Sequence, residues 1–187
     1  MDSTMGSPKS QLLRMLTGYW LSQAIHVAAK LGIADLVKDD PKTAAELARL
    51  TDTHPLALHR LLRALASVGI FAADDDGRYR LTDMARCLLV QPMSQRAVAL
   101  MLGDEHYASW SQLLYSIKTG KPAFDHIYGK PVFDWLSAHP EQAKIFDAAM
   151  TGFHGEETQR IIDAYDFGTF KTIVDIGGGD GPGPTSH

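Results

Sequence analysis

The sequence predicts a mainly α-helical chain that closes on the opening of an α/β nucleotide-type site. Three observations predict it. Apolar residues recur at spacings of three and four from about residue 11 to residue 165, punctuated by capping residues, Pro and Gly. Two short helices at 43–50 and 56–68 run into two short apolar stretches separated by Asp74-Asp75-Asp76-Gly77. Last comes Lys171-Thr-Ile-Val-Asp-Ile-Gly-Gly-Gly-Asp-Gly181, a β-branched run feeding a glycine loop.

Taken in order, Met1 to Ser10 is polar, lacks a signal-peptide core and is expected to be disordered. Gln11 to Leu31 reads as a helix ended by Gly32. Its apolar residues, Leu12, Leu13, Leu16, Tyr19, Trp20, Ile25, Val27, Ala28 and Leu31, lie on every side. In a chain this small such a helix is expected to contact another subunit. His26 on it reads as a satisfied core or interface histidine. Ile33 to Val37 is a helical turn broken by Asp39-Asp40-Pro41. Thr43-Ala-Ala-Glu46 matches a capping box, with Ala44, Leu47, Ala48 and Leu50 on the inner face. Pro55 suits the first turn of the next helix, whose periodic Leu58, Leu61, Leu62, Leu65 and Val68 stop at Gly69.

Two helices joined by a tight turn form a helix-turn-helix. Ile70–Ala73 and Arg78–Leu81 around the Asp-Gly turn form a β-hairpin. Together they read as a winged helix, followed by a helix from Thr82 to Leu89. A DNA-binding role is disfavoured. The second helix offers only Arg60, Arg63 and His59, and the wing tip carries three carboxylates where a phosphate would lie. From Pro92 the chain is helical again, with helices expected at 96–102, from Asp104 to Gly120, at 131–136, and from Glu141 to Tyr165. Lys118 to Phe124 reads as a loop. Gly152 and Gly155 would bend the long helix or admit a close neighbour.

Composition sets outer limits. Apolar residues make up 45% and charged residues 21% of 187 residues, as in a globular protein, and the formal net charge of −4 gives no reason to expect polyanion binding. No apolar run approaches the roughly 20 residues of a membrane-spanning helix. One cysteine, Cys87, fits a reducing, cytoplasmic compartment, and among Leu88, Leu89 and Met84 it reads as a buried structural thiol. The 8 histidines show no metal-ligand spacing.

The glycine loop narrows the ligand. No frame from Gly177, Gly179 or Gly181 gives Gly-x-Gly-x-x-Gly, since the sixth positions are Pro182, Pro184 and Ser186. A P-loop Gly-Lys-Ser/Thr is missing as well. Asp175 instead stands two residues before the first glycine, where it would repel a pyrophosphate and attract an ammonium group. That pattern favours an amino-acid-bearing nucleoside such as S-adenosylmethionine.

Val-Asp-Ile-Gly-Gly-Gly-Asp-Gly resembles the first cofactor motif of class I S-adenosylmethionine-dependent methyltransferases. More narrowly, the chain resembles the two-domain small-molecule O-methyltransferases of the caffeic-acid, hydroxyindole and bacterial type. The winged helix, Trp110 through Leu114, Thr119-Gly120, Phe124, Phe133 and Phe146-x-x-Ala149-Met150 fall in the family's order before the loop. The resemblance covers about residues 12 to 181. It departs after Gly181, where Pro182 and Pro184 suit the following helix poorly.

The resemblance implies a disordered segment at 1–10, a winged-helix dimerisation domain at 11–91 and linker helices on the substrate side at 92–168. Residues 169–187 would hold the first strand and Gly loop of a truncated Rossmann-like domain. It also implies a homodimer. Asp175 would face the methionine amino group of the cofactor. Gly177, Gly178, Gly179 and Gly181 would let the backbone approach it. His106, Trp110, Phe133, Phe146 and Met150 would wall an aromatic acceptor, although simple helix core is the competing reading for each of them except His106.

Methyl transfer to a hydroxyl needs alignment, a base and exclusion of water. In the family, the ribose-binding acid and the histidine base come later in the chain, so no catalytic residue is assigned. The expectation is the N-terminal part of an O-methyltransferase acting on a small hydroxylated aromatic or polyketide-like molecule. By itself that part would be inactive and serve dimerisation, with weak or absent S-adenosylmethionine binding. A stand-alone winged-helix dimerisation or regulatory protein is the alternative. Clear binding of S-adenosylhomocysteine would count against it.

Overall fold

The computed structural model describes residues 7–174, without the side chains of residues 154–159. Among the described residues fourteen α-helices and strands follow one another, with a 3-10 turn at Phe167–Thr169 after the last. They are α1 (Pro8–Lys30), α2 (Ile33–Leu36), β1 (Lys42–Thr43), α3 (Ala44–Thr51), α4 (Pro55–Ser67), β2 (Phe71–Ala73) and β3 (Arg78–Leu81) in the first half. The second half has α5 (Asp83–Arg86), α6 (Arg96–Gly103), α7 (Glu105–Trp110), α8 (Leu113–Thr119), α9 (Ala123–Tyr128), α10 (Val132–Ser137) and α11 (Pro140–Ala164).

The mainly helical class and the winged helix stand as expected. The capping box at Thr43 is complete. The Glu46 backbone N–H donates to Thr43 Oγ1 at 3.2 Å, and the Thr43 N–H donates to Glu46 Oε2 at 2.7 Å. Arg78 Nη1 reaches the same Glu46 oxygen at 3.2 Å and also donates to the Pro41 carbonyl at 3.0 Å, tying the wing to α3. The hairpin turns at Gly77, whose φ of +72° a side chain would resist. It pairs Phe71 with Leu81 and Ala73 with Tyr79. A third strand, β1, joins antiparallel on the far side of β3. Two residues are too few to leave a periodic signal in sequence, so β1 was not expected.

The core of this half is Ile33, Leu47, Leu62, Leu65 and Phe71, each at most 1% exposed. Leu58, Leu62 and Leu65 come from the periodic face of α4. A second, smaller buried cluster of Val98, Met101 and Ala149 lies where α6 packs on α11. Gly152 permits that approach, because a Cβ there would stand 2.7 Å from the Ser94 carbonyl oxygen.

Several boundaries move. The first helix starts at Pro8, so residues 8–10 are ordered rather than disordered. Ser7 caps it, and Pro8 is preset for the first helical position. Cys87 is exposed, not buried. Ala85 and Leu88, three apart, point inward, which turns Cys87 to the other side. The helix from Thr82 ends early at Arg86. The helix expected from Asp104 to Gly120 is two, α7 and α8, interrupted at Ser111–Gln112. The expected loop at Lys118–Phe124 gives way at Ala123 to a helix, α9, bounded by Pro122 and by Gly129 at φ +76°. Residues 172–174 form no strand, and Ile173 and Val174 are 63% and 73% exposed. A strand needs a neighbour to take its N–H and C=O groups, and among the described residues none is placed beside this one.

Candidate functional site

The second half builds a small apolar cavity from five helices. Glu105 and His106 come from the first turn of α7, and Phe124 comes from α9. Val132, Trp135 and Leu136 come from α10, Gln142, Ile145 and Phe146 from α11, and Met101 from α6. The volume is about 10 Å³, room for one water. Periodicity explains the contributions. Trp135 and Leu136 are the inward side of a one-and-a-half-turn helix. Gln142, Ile145 and Phe146 recur at three and four on α11.

The wall is aromatic. Phe124 meets Trp135 edge-on at 5.7 Å between centroids, and Tyr128 lies 4.5 Å from Phe124 and 5.1 Å from Trp135. Trp135 also stacks on His139 at 3.9 Å. Burial raises the Tyr128 hydroxyl above its ordinary value, and the negative charges of Glu105 and Asp104 push it the same way. At pH 7 Tyr128 is therefore a neutral phenol, a donor beside an apolar wall. One polar atom in the wall is unspent. His106 Nδ1 is buried and has no hydrogen-bond partner among the described residues. A ring nitrogen left this way within an aromatic wall is a ready contact for one polar group of a planar molecule.

The residues predicted from sequence separate here. His106 and Phe146 line the cavity. Phe133 meets Phe146 edge-on at 6.0 Å but is 67% exposed, on the outside of α10. Met150 packs on the Val98–Met101–Ala149 cluster. Trp110 is 67% exposed, so it neither lines this cavity nor belongs to the core. Asp175, Gly177, Gly178, Gly179 and Gly181 lie outside the described residues. Sequence reading missed Trp135, Phe124, Met101, Glu105 and Gln142. Phe133 and Trp135 are two residues apart on one short helix, so they face opposite ways, and nothing in six residues says which faces in.

Along the N-terminal half of α1 the apolar side chains are open. Leu12, Leu13, Leu16 and Trp20 are each at least 58% exposed, and Met15 is 76% exposed. So many exposed large apolar side chains within nine residues have the character of a contact surface.

Comparison with known proteins decides the family. Residues 13–91 match the O-methyltransferase dimerisation domain and residues 110–183 match the O-methyltransferase domain. A phenazine O-methyltransferase of Lysobacter antibioticus is 44% identical over 174 residues, which is 92% of this chain and 51% of that enzyme. The chain belongs to the O-methyltransferase family. The crystal structure of LaPhzM superposes on this O-methyltransferase chain with a TM-score of 0.91 at 43% identity, covering 95% of this chain and 54% of that one. An O-methyltransferase from neocarzinostatin biosynthesis was solved with S-adenosylmethionine and 2-hydroxy-5-methyl naphthoic acid. It superposes with a TM-score of 0.71 at 30% identity, over 90% of this chain and 51% of that one. The chain thus spans about half the length of the relatives it matches.

Proposed function

We propose that this chain contributes the dimerisation surface, the acceptor cavity and the first cofactor loop of an S-adenosylmethionine-dependent O-methyltransferase. Its acceptor is a small hydroxylated, planar aromatic or polyketide-like molecule. One observation carries the reading: an aromatic-walled cavity with an unspent His106 nitrogen, whose lining residues follow in sequence the segment matched to the dimerisation domain. Phe124, Trp135 and Phe146 suit a flat ring system, and His106 Nδ1 suits a polar substituent on it. S-adenosylmethionine supplies an electrophilic methyl group when bound. Asp175 and Gly177, Gly178, Gly179 and Gly181 are the proposed cofactor contacts. Within the chain, the apolar wall excludes water from the acceptor, and His106 orients it. Trp110, Phe133 and Met150 fit an outer rim better than a first contact. The cavity must widen to admit a ring, and α9 and α10, short helices flanked by Gly120 and Gly129, are the elements placed to yield.

The same reading makes the chain a homodimer through Leu12, Leu13, Leu16 and Trp20 of α1. Calorimetry with a hydroxyphenazine, chosen after the acceptor class of the Lysobacter relative, tests the cavity. Binding is expected, with a loss of about tenfold in Phe146→Ala, the scale of one large apolar contact. Heat from neither wild type nor variant would overturn it. Sedimentation at micromolar concentration tests the dimer, and a monomer there would refute that part.

A further inference from the structure

The corner between α6 and α7 is clamped to α1 by a polar cluster that periodicity does not require. Asp104 forms the corner, with φ −97° and ψ −102°, neither helical nor extended. Its carboxylate accepts from Lys30 Nζ at 2.9 and 3.1 Å and faces His26 Nε2 at 3.4 Å. His26 is only 5% exposed, and its other nitrogen, Nδ1, lies 3.1 Å from the Ala99 carbonyl oxygen. Gln23 Nε2 donates to the Gly103 carbonyl at 3.2 Å, and Arg96 Nε at the start of α6 donates to the Ala29 carbonyl at 3.1 Å. Tyr19 and Tyr107 extend the contact, with ring centroids 6.4 Å apart.

Two features make the cluster specific. Gly103 has no Cβ, and the His26 ring occupies the place one would take. Both ring nitrogens face acceptors, so neutral imidazole can donate to only one of them, and no amide side chain spans both. His26, buried and wedged against Gly103, cannot shift without losing both that packing and the hydrogen bond its one ring N–H makes.

What the clamp holds matters for the cavity. Asp104 immediately precedes Glu105 and His106, and the Ala108 N–H donates to the Asp104 carbonyl at 3.1 Å, so α7 starts from the clamped residue. A slip of one residue in that start would swing His106 by about 100° around α7 and out of the wall. We propose that His26 and Asp104 are positioning residues that lock the Glu105–His106 wall of the cavity to α1. The helix that carries the exposed apolar stretch and the cavity wall then move as one body. The effect on ligands rests on the cavity being the acceptor site, whereas the effect on His106 does not.

Nuclear magnetic resonance of histidine labelled with nitrogen-15, on the full 187-residue chain, reads the clamp directly. His26→Gln and Asp104→Asn are expected to move the His106 ring signals and to weaken hydroxyphenazine binding about tenfold, the scale of one buried hydrogen bond. Asp104→Glu should restore part of both. Thr43→Ala, a destabilisation in the first half, should leave the His106 signals in place. If His106 signals stay unmoved in folded Asp104→Asn, or move as far in Thr43→Ala, the proposal is overturned. Should His26→Gln fail to fold, Asp104→Asn still decides, since its carboxylate is 41% exposed. If wild type binds no hydroxyphenazine, the acceptor reading fails, and the His106 signals alone judge the clamp.

Discussion

The two halves of the molecule handle apolar residues in opposite ways. From Ala28 to Leu89 most of them turn inward. Fifteen buried residues form one cluster around Leu47, Leu62, Leu65 and Phe71. Beyond it, among the described residues, the buried cluster is Val98, Met101 and Ala149, while Leu114, Ile117, Ile161, Ile162, Tyr165 and Phe170 are each more than half exposed. A sheet-and-helix unit closes a core within 80 residues or so. A fan of short helices on one long helix cannot, because each presents one face and leaves the rest to whatever covers it. The first half thus closes its own core and leaves only the start of α1 open, and the second is a wall, shaped on one side and open on the other.

The largest effect should come from the closed core. Leu62→Ala removes a fully buried side chain and is expected to cost about 2–5 kcal/mol, lowering Tm by roughly 5–15 °C in a thermal melt. A loss as small as that of a surface residue would deny that the first half has a packed core. Next comes the wing's attachment. Thr43→Ala should cost about 1 kcal/mol by removing the cap. Its partner gives a pH signature. The Thr43 backbone N–H first, then its hydroxyl and the Arg78 charge, hold the Glu46 carboxyl below its ordinary value of 4.5. A lowered carboxyl stabilises the fold above that value and loses its contribution as pH falls through the lowered one. The stability gap between wild type and Glu46→Gln should therefore be constant from pH 7 to 5 and close below 4.5. A gap that widened on acidification would show that the bonds belong to the protonated form. The smallest effect belongs to the open wall. Ile117 is 75% exposed, so Ile117→Ser should change stability by less than about 0.5 kcal/mol. A larger loss would mean that α8 is covered in solution.

Legibility followed the same division. The capping box at Thr43, the periodic face of α4, the Asp-Gly hairpin and the stops at Gly32 and Gly69 were all readable, because each is a local rule satisfied within a few residues. His26 was read as a satisfied buried histidine and is one, but its partners, Ala99 and Asp104, lie more than seventy residues away and left no local mark. The cavity was readable at only two of its ten lining residues. His106 and Phe146 were named from the order of motifs, whereas Trp135 was passed over for Phe133 and Phe124 was left in a loop.

The sequence by itself determined the winged helix, the long helices α1 and α11 and the exposed apolar character of α1, because periodicity, caps and turn residues act over neighbours in the chain. Only the tertiary structure decided which side of α10 faces inward, that Cys87 points out, that Gly103 makes room for a histidine ring, and that Asp104 is tied to α1. Those depend on which surfaces meet, and a helix of six residues with apolar side chains on both sides carries no preference until another element is laid against it.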